Sequence, residues 1–233
     1  MFSIRDYQHL LDEEIKQDIH IHPRPNCFCT AVIHEYVDFC IELGIKTVGF
    51  VEHGRRVNST HQGVLIDINH INRFSNCIDT AKELYAIYDI KIKSGIEIDY
   101  SPDTKYMQNV IQNCQGLDYI IGSVHGFGKK SYKEYLQATT DLIETNKIDI
   151  LGHFVISPEI ENYLSEIENI LNILNAKQIC LELNKAERYD CKNQQLKASF
   201  WDMVLAHNVC LSFGSDAHSI TELIHNNSRS WFN

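Results

Sequence analysis

The sequence predicts a closed parallel β/α barrel of seven strands, with a metal site at the strand C-termini. Three observations predict it. Strand-like and helical runs alternate along the chain, no linker interrupts them, and nearly every strand-like run ends in a histidine or an acid. Such alternation yields parallel βα units. An open doubly wound sheet would also satisfy it. The strand-end residues favour the barrel, because only a barrel points all its strand C-termini at one shared mouth.

The strand-like runs fall at about 17–22 (QDIHIH), 47–52, 92–98, 118–124, 148–153, 178–183 and 209–213. Helical patterns lie between them at about 31–43, 67–88, 103–114, 133–147, 159–175 and 194–207. Gly44 sits where a helix C-cap is needed. Ser157-Pro158-Glu159 reads as an N-cap followed by proline at the first helical position. The helix after it places Ile160, Tyr163, Leu164, Ile167, Ile170, Leu171 and Leu174 on one stripe.

The totals fit one domain spanning residues 1–233, since 44% of the residues are hydrophobic and a core can form. No run of eighteen apolar residues suggests a membrane span. The mixed, charged start MFSIRDYQHLLDEEIKQ does not read as a signal peptide, so a cytoplasmic protein is expected. On that ground the eight cysteines are expected to be reduced. Cys40, Cys77, Cys180 and Cys210 lie in apolar runs, where a thiol acts as a small hydrophobe. The net charge of −10 disfavours nucleic acid as a partner. It leaves room for a small phosphorylated metabolite, because bound metal would reverse the local field.

The strand ends carry the chemistry. In chain order they supply Asp18, His20 and His22, then Glu52-His53, Glu97 and Asp99, His125, His153, and finally Asp216 and His218. Residues two apart on a strand face the same way, so His20 and His22 point together as ligands of one ion would. No single histidine carries weight, and His9, His34, His70 and His207 fall on helices or away from strand ends. Mixed imidazole and carboxylate donors suit Zn, Mn or Fe. So many donors exceed the needs of one ion and imply two or three divalent metals. Paired ions about 3.5–4 Å apart commonly hydrolyse phosphate esters. Glu97, in the middle of the set, is the expected bridging ligand. Arg24, Arg55, Arg56, Lys129, Lys130, Lys185 and Arg188 fall just past strand ends. Of these, Arg188, Arg55 and Arg56 are the expected substrate-binding residues, since a guanidinium grips phosphate in a bidentate way. No P-loop and no Gly-x-Ser-x-Gly elbow is present.

The motifs DIHIH, GFVEHG, GIEIDYSP, LDYIIGSVHGFG, ILGH, LELN and FGSDAH, in that order, resemble the polymerase-and-histidinol-phosphatase (PHP) superfamily over about residues 18–218. GIEIDYSP and DYIIGSVHG are most similar to its histidinol-phosphatase branch. The resemblance implies a distorted seven-stranded (β/α)7 barrel. By position it implies one metal on His20, His22, Glu97 and Asp216, a second on Glu97, His125 and His153, and a third on His53 and His218. The catalytic set would be His20, His22, Glu97, His125, Asp216 and His218. Where the branch carries a further ligand after the His-x-His, this chain has Phe28 and Cys29, so the third position is expected to be weaker or filled differently. The expected activity is phosphate monoester hydrolysis, with histidinol phosphate as the leading substrate. The rival readings are a phosphodiesterase, nuclease or C–N hydrolase on the same metals, and a metal-binding regulatory domain without turnover.

Overall fold

The structure is a computed structural model that describes residues 16–23, 30–54, 68–126, 131–145, 147–186 and 191–228. Seven strands form one sheet in chain order: β1 (Gln17–Ile21), β2 (Thr47–His53), β3 (Lys91–Asp99), β4 (Tyr119–Ser123), β5 (Ile150–Leu151), β6 (Cys180–Asn184) and β7 (Leu211–Gly214). Every neighbouring pair is parallel. The helices between them are α1 (Thr30–Glu42), α2 (Ile68–Leu84), α3 (Thr104–Asn113), α4 (Tyr132–Thr145), α5 (Leu164–Lys177) and α6 (Gln194–Ala206), with α7 (Ile220–Asn227) after β7. No described helix is long and apolar enough to cross a membrane.

The sheet curls into a nearly closed barrel at a seam between its first and last strands. Ile21 and Ala217 form a parallel bridge there, and the His22 amide donates to the Ala217 carbonyl at 2.8 Å. Asp18, fully buried, fastens the same seam. Its carboxylate accepts from the Ser215 amide at 3.0 Å and from the Asn227 side-chain amide at 2.7 Å.

Alternation along the strands divides the core in two. Val51, Tyr119, Ile121 and Ile150 fill the barrel interior. The opposite faces pack under the helices in two larger clusters, one around α1 and α2, the other around α3 to α6. On α4 the buried residues Tyr132, Tyr135, Leu136, Thr139, Leu142 and Ile143 recur at helical spacing and face the sheet. Asp103 and Asn193 cap α3 and α6, each accepting from two first-turn amides. Gly44 ends α1 with φ +77°, as its position in the sequence implied.

Several expectations change. The Ser157 motif does not start an α-helix. Its hydroxyl accepts from the Glu159 amide, and a 3₁₀ turn at Ile160–Tyr163 comes before α5 begins at Leu164. Leu164, placed on the core stripe by periodicity, is exposed as a result. β5 has two residues where the sequence suggested six, because the chain leaves the sheet at Gly152 and His153 takes a φ of +27°. Helix α7 was not anticipated; its eight residues are capped by the Ser219 hydroxyl. Cys180 and Cys210 form a disulfide, correcting the expectation of reduced thiols at this pair. They lie 30 residues apart in sequence, but parallel pairing of Leu181 with Leu211 sets them side by side, with Cα atoms 4.4 Å apart. Cys40, Cys114 and Cys191 are free thiols, while Cys27 and Cys29 lie outside the described residues.

Tyr119 spans the interior floor, donating to the Ile19 carbonyl at 2.7 Å, and its ring occupies the space where Cβ atoms at Gly49 and Gly95 would stand. Gly95→Ala is therefore expected to lower stability by about 1–3 kcal/mol, the usual cost of overpacking. Gly116→Ala, which meets nothing within 4 Å, is expected to leave stability nearly unchanged. Urea denaturation of both variants checks the contrast, and equal midpoints would show that the interior yields freely.

Candidate metal centre

The C-terminal ends of β1 to β5 and of β7 present their chemistry at one end of the barrel. Glu97 is at its centre, 2% exposed. Its two oxygens face different partners. Oε1 lies 2.8 Å from His153 Nε2 and 3.5 Å from His125 Nε2. Oε2 lies 2.9 Å from His53 Nδ1, 3.5 Å from His22 Nε2 and 3.8 Å from His20 Nε2. Asp216 Oδ1 reaches toward the same pair, 3.4 Å from His22 Nε2 and 3.8 Å from His20 Nε2. Asp216 and His153 both adopt positive φ, 51° and 27°. Backbone held in this sparsely populated region concentrates at functional sites.

Three sets of donor atoms converge within 4.8 Å of one another: His20, His22 and Glu97; Glu97, His125 and His153; and His22, His53 and His218. The first two fall within the groupings that sequence position implied. The third adds His22 to the pair His53 and His218, whose Nε2 atoms are 3.1 Å apart. All eight expected metal ligands thus meet at one mouth. Arg188, Arg55 and Arg56 lie outside the described residues, as do Arg24, Lys129 and Lys130. Lys185 is buried at the end of β6. His34 lies on α1 and His207 follows α6, bonded through its ring to the Met203 carbonyl; neither belongs to the three sets. His9 is outside the described residues, and the side chain of His70 is too.

The electrostatics suit a cation. Burial resists charge on His20, but the buried Glu182 and Asp216 carboxylates outweigh it and hold this imidazole well above the usual histidine range. Burial and the neighbouring His53 push His22 well below that range. Burial opposes ionisation of Glu97 and Asp216 as well, yet the surrounding imidazoles keep both below the usual carboxylate range. The facing nitrogens test the fit directly. His20 Nε2 and His22 Nε2 are 3.0 Å apart, so without a proton between them two lone pairs would collide. A cation accepts both lone pairs and neutralises Glu97 and Asp216 together. The donor set therefore fits divalent metal.

Sequence reasoning missed the acids bonded to the backs of these imidazoles. Glu182 accepts from His20 Nδ1 at 2.6 Å. Asp99, noticed only as a strand-end acid, is bonded to His125 Nδ1. The signal for Glu182 was a lone acid between leucines in L-E-L-N. Glu52 turns out to have no place in the cluster. It pairs in register with Ile96, which faces the helices, and burial raises its carboxyl to about 8.

The comparisons with known proteins agree with this architecture. A Listeria monocytogenes structure described as a histidinol phosphatase superposes with a TM-score of 0.72 at 16% identity, covering 88% of this chain and 96% of that one. Histidinol phosphate phosphatase from Lactococcus lactis, solved with Zn, L-histidinol and phosphate, gives 0.69 at 20% identity over 94% and 95% of the two chains. Adenine deaminase from Arthrobacter aurescens gives 0.51 at 10% identity over 88% and 71%. These likenesses are in fold. A Shewanella piezotolerans protein named as a phosphatase is 23% identical over 172 residues, which span 72% of this chain and 63% of that protein's length. The PHP domain profile matches residues 18–186, most of the chain and six of its seven strands, and the chain belongs to the PHP domain family.

Proposed function

We propose that this chain is a metal-dependent phosphatase acting on small phosphate monoesters, with histidinol phosphate as the leading substrate. The carrying observation is Glu97, whose two oxygens face two separate histidine sets inside one buried mouth. A carboxylate so placed is suited to bridge two ions. The likeness in fold to a histidinol phosphate phosphatase solved with Zn, L-histidinol and phosphate supports the substrate class. Bound divalent ions supply an activated water and neutralise charge on the phosphoryl oxygens.

The chain's own residues divide the remaining work. His20, His22, His153 and Asp216 are buried and form the inner wall. His53, His125 and His218 are partly exposed and line the side from which an ester arrives. Arg188, with Arg55 and Arg56, is assigned to the phosphate by its position just past a strand end. The fold is shared with a deaminase, so the barrel alone does not separate P–O from C–N hydrolysis. A panel of histidinol phosphate, other phosphate monoesters, a phosphodiester and adenine, assayed with Zn²⁺ or Mn²⁺, does so. Turnover confined to adenine or the diester would overturn the proposal, as would no turnover at all.

Glu97→Ala is expected to lose more metal than any other single ligand variant, and to lower kcat on the order of a thousandfold or more, equivalent to several kcal/mol of lost charge stabilisation. Elemental analysis beside steady-state kinetics checks this, and a full metal complement would rule out the bridge. Arg188→Ala is expected to raise KM about tenfold to a hundredfold, the equivalent of a charged hydrogen bond, with metal retained. Unchanged KM and kcat would remove Arg188 from the site. Metal counts in wild type and Cys29→Ser decide the third position. A fall from three ions to two assigns Cys29 as a ligand, three in both points to His22 with His53 and His218, and two in both establishes a dinuclear enzyme.

A further inference from the structure

We infer that Glu182 is a positioning residue for the metal centre, setting the ring of His20 and the backbone of His153 at once. The inference rests on the metal-binding part of the reading above and not on the identity of the substrate. Glu182 sits on β6 with its carboxylate inside the barrel, fully buried. Oε1 lies 2.6 Å from His20 Nδ1, placed to accept its N–H. Oε2 accepts from the His153 amide at 2.7 Å and from Asn184 Nδ2 at 2.9 Å. Three donors on two oxygens suit a carboxylate, which accepts at both oxygens.

The consequences reach two ligand sets. A proton fixed on Nδ1 of His20 leaves Nε2 as the nitrogen that faces His22, Glu97 and Asp216. The bond to the His153 amide steadies a residue of positive φ whose ring reaches the other oxygen of Glu97. The fold makes room for this at Gly214, where any Cβ would overlap Glu182 Oε1 and His20. A glutamine cannot replace the carboxylate. Whichever way its amide turns, an NH₂ group meets a donor, either His20 Nδ1–H or the pair formed by His153 N–H and Asn184.

The test compares wild type with Glu182→Gln, using Zn²⁺ as the probe. Chelator competition is expected to show Zn²⁺ affinity falling about 10–100-fold, the range for loss of a partner that orients a metal-bound histidine. Circular dichroism is expected to show the fold retained. In ¹⁵N-histidine spectra of the Zn²⁺-loaded full chain, wild-type His20 is expected to carry a low-field, slowly exchanging proton on Nδ1, and the variant to lose it. A purely structural role would not move that resonance. Wild-type Zn²⁺ affinity in the variant, or a wild-type His20 with its proton on Nε2, would overturn the inference. The second outcome needs no variant and stands even where Glu182→Gln fails to fold. Wild type without Zn²⁺ affinity would overturn the metal reading and this inference with it. Zn²⁺ binding without phosphatase turnover would overturn only the substrate reading.

Discussion

A carboxylate buried among imidazoles governs this molecule. Ionised Glu97 in a desolvated mouth is costly unless positive charge surrounds it. Histidines on β1 and β2 and just past β4 and β5 meet that need from several directions. Each must arrive from a separate strand, and only a closed sheet delivers strand ends to one point. The barrel, its seam and its tight interior are the means by which these charges are brought within bonding distance.

Support for the charges comes from within the barrel wall. Glu182 and Asp99 bond directly to the His20 and His125 imidazoles, and Asp18 accepts from the amide of His20. Below them Tyr119 and its glycine neighbours replace bulk with a single hydrogen-bonded ring. Small residues at Gly152 and Gly214 admit the second layer of polar groups. The architecture therefore places Gly49, Gly95, Gly152 and Gly214 where polar groups cross the interior, and most of its large apolar residues under the helices.

The strands and the cluster of histidines and acids at their ends were legible in the sequence because both follow local rules. Alternation with period two places His20 with His22, and a histidine or acid at an apolar run's end stands out on its own. What escaped notice depends on distant partners. The bonds that Glu182 makes exist only once the barrel closes and β1 comes round to face β5 and β6. The pairing of Cys180 with Cys210 follows from strand register, which no local pattern encodes. The 3₁₀ turn before α5 turns on where one serine hydroxyl bonds, and the shortness of β5 on a backbone excursion at His153. Helix α7 has a readable cap in Ser219, but its purpose is a long-range one.

That purpose bears on how the chain is born. The side chain of Asn227, on α7, closes on Asp18 across 209 residues of sequence. A ribosome emits Asp18 and its strand long before the segment that seals them. Until β7 and α7 emerge, the first strand has one unpaired edge, and two of the expected ligands, Asp216 and His218, do not yet exist. Loop closure over such a span is slow. A nascent chain of this protein thus has an interval in which an aggregation-prone strand edge and an incomplete cage of histidines are open together. Sealing the barrel and completing the cluster of histidines and acids become a single event that waits for β7 and α7.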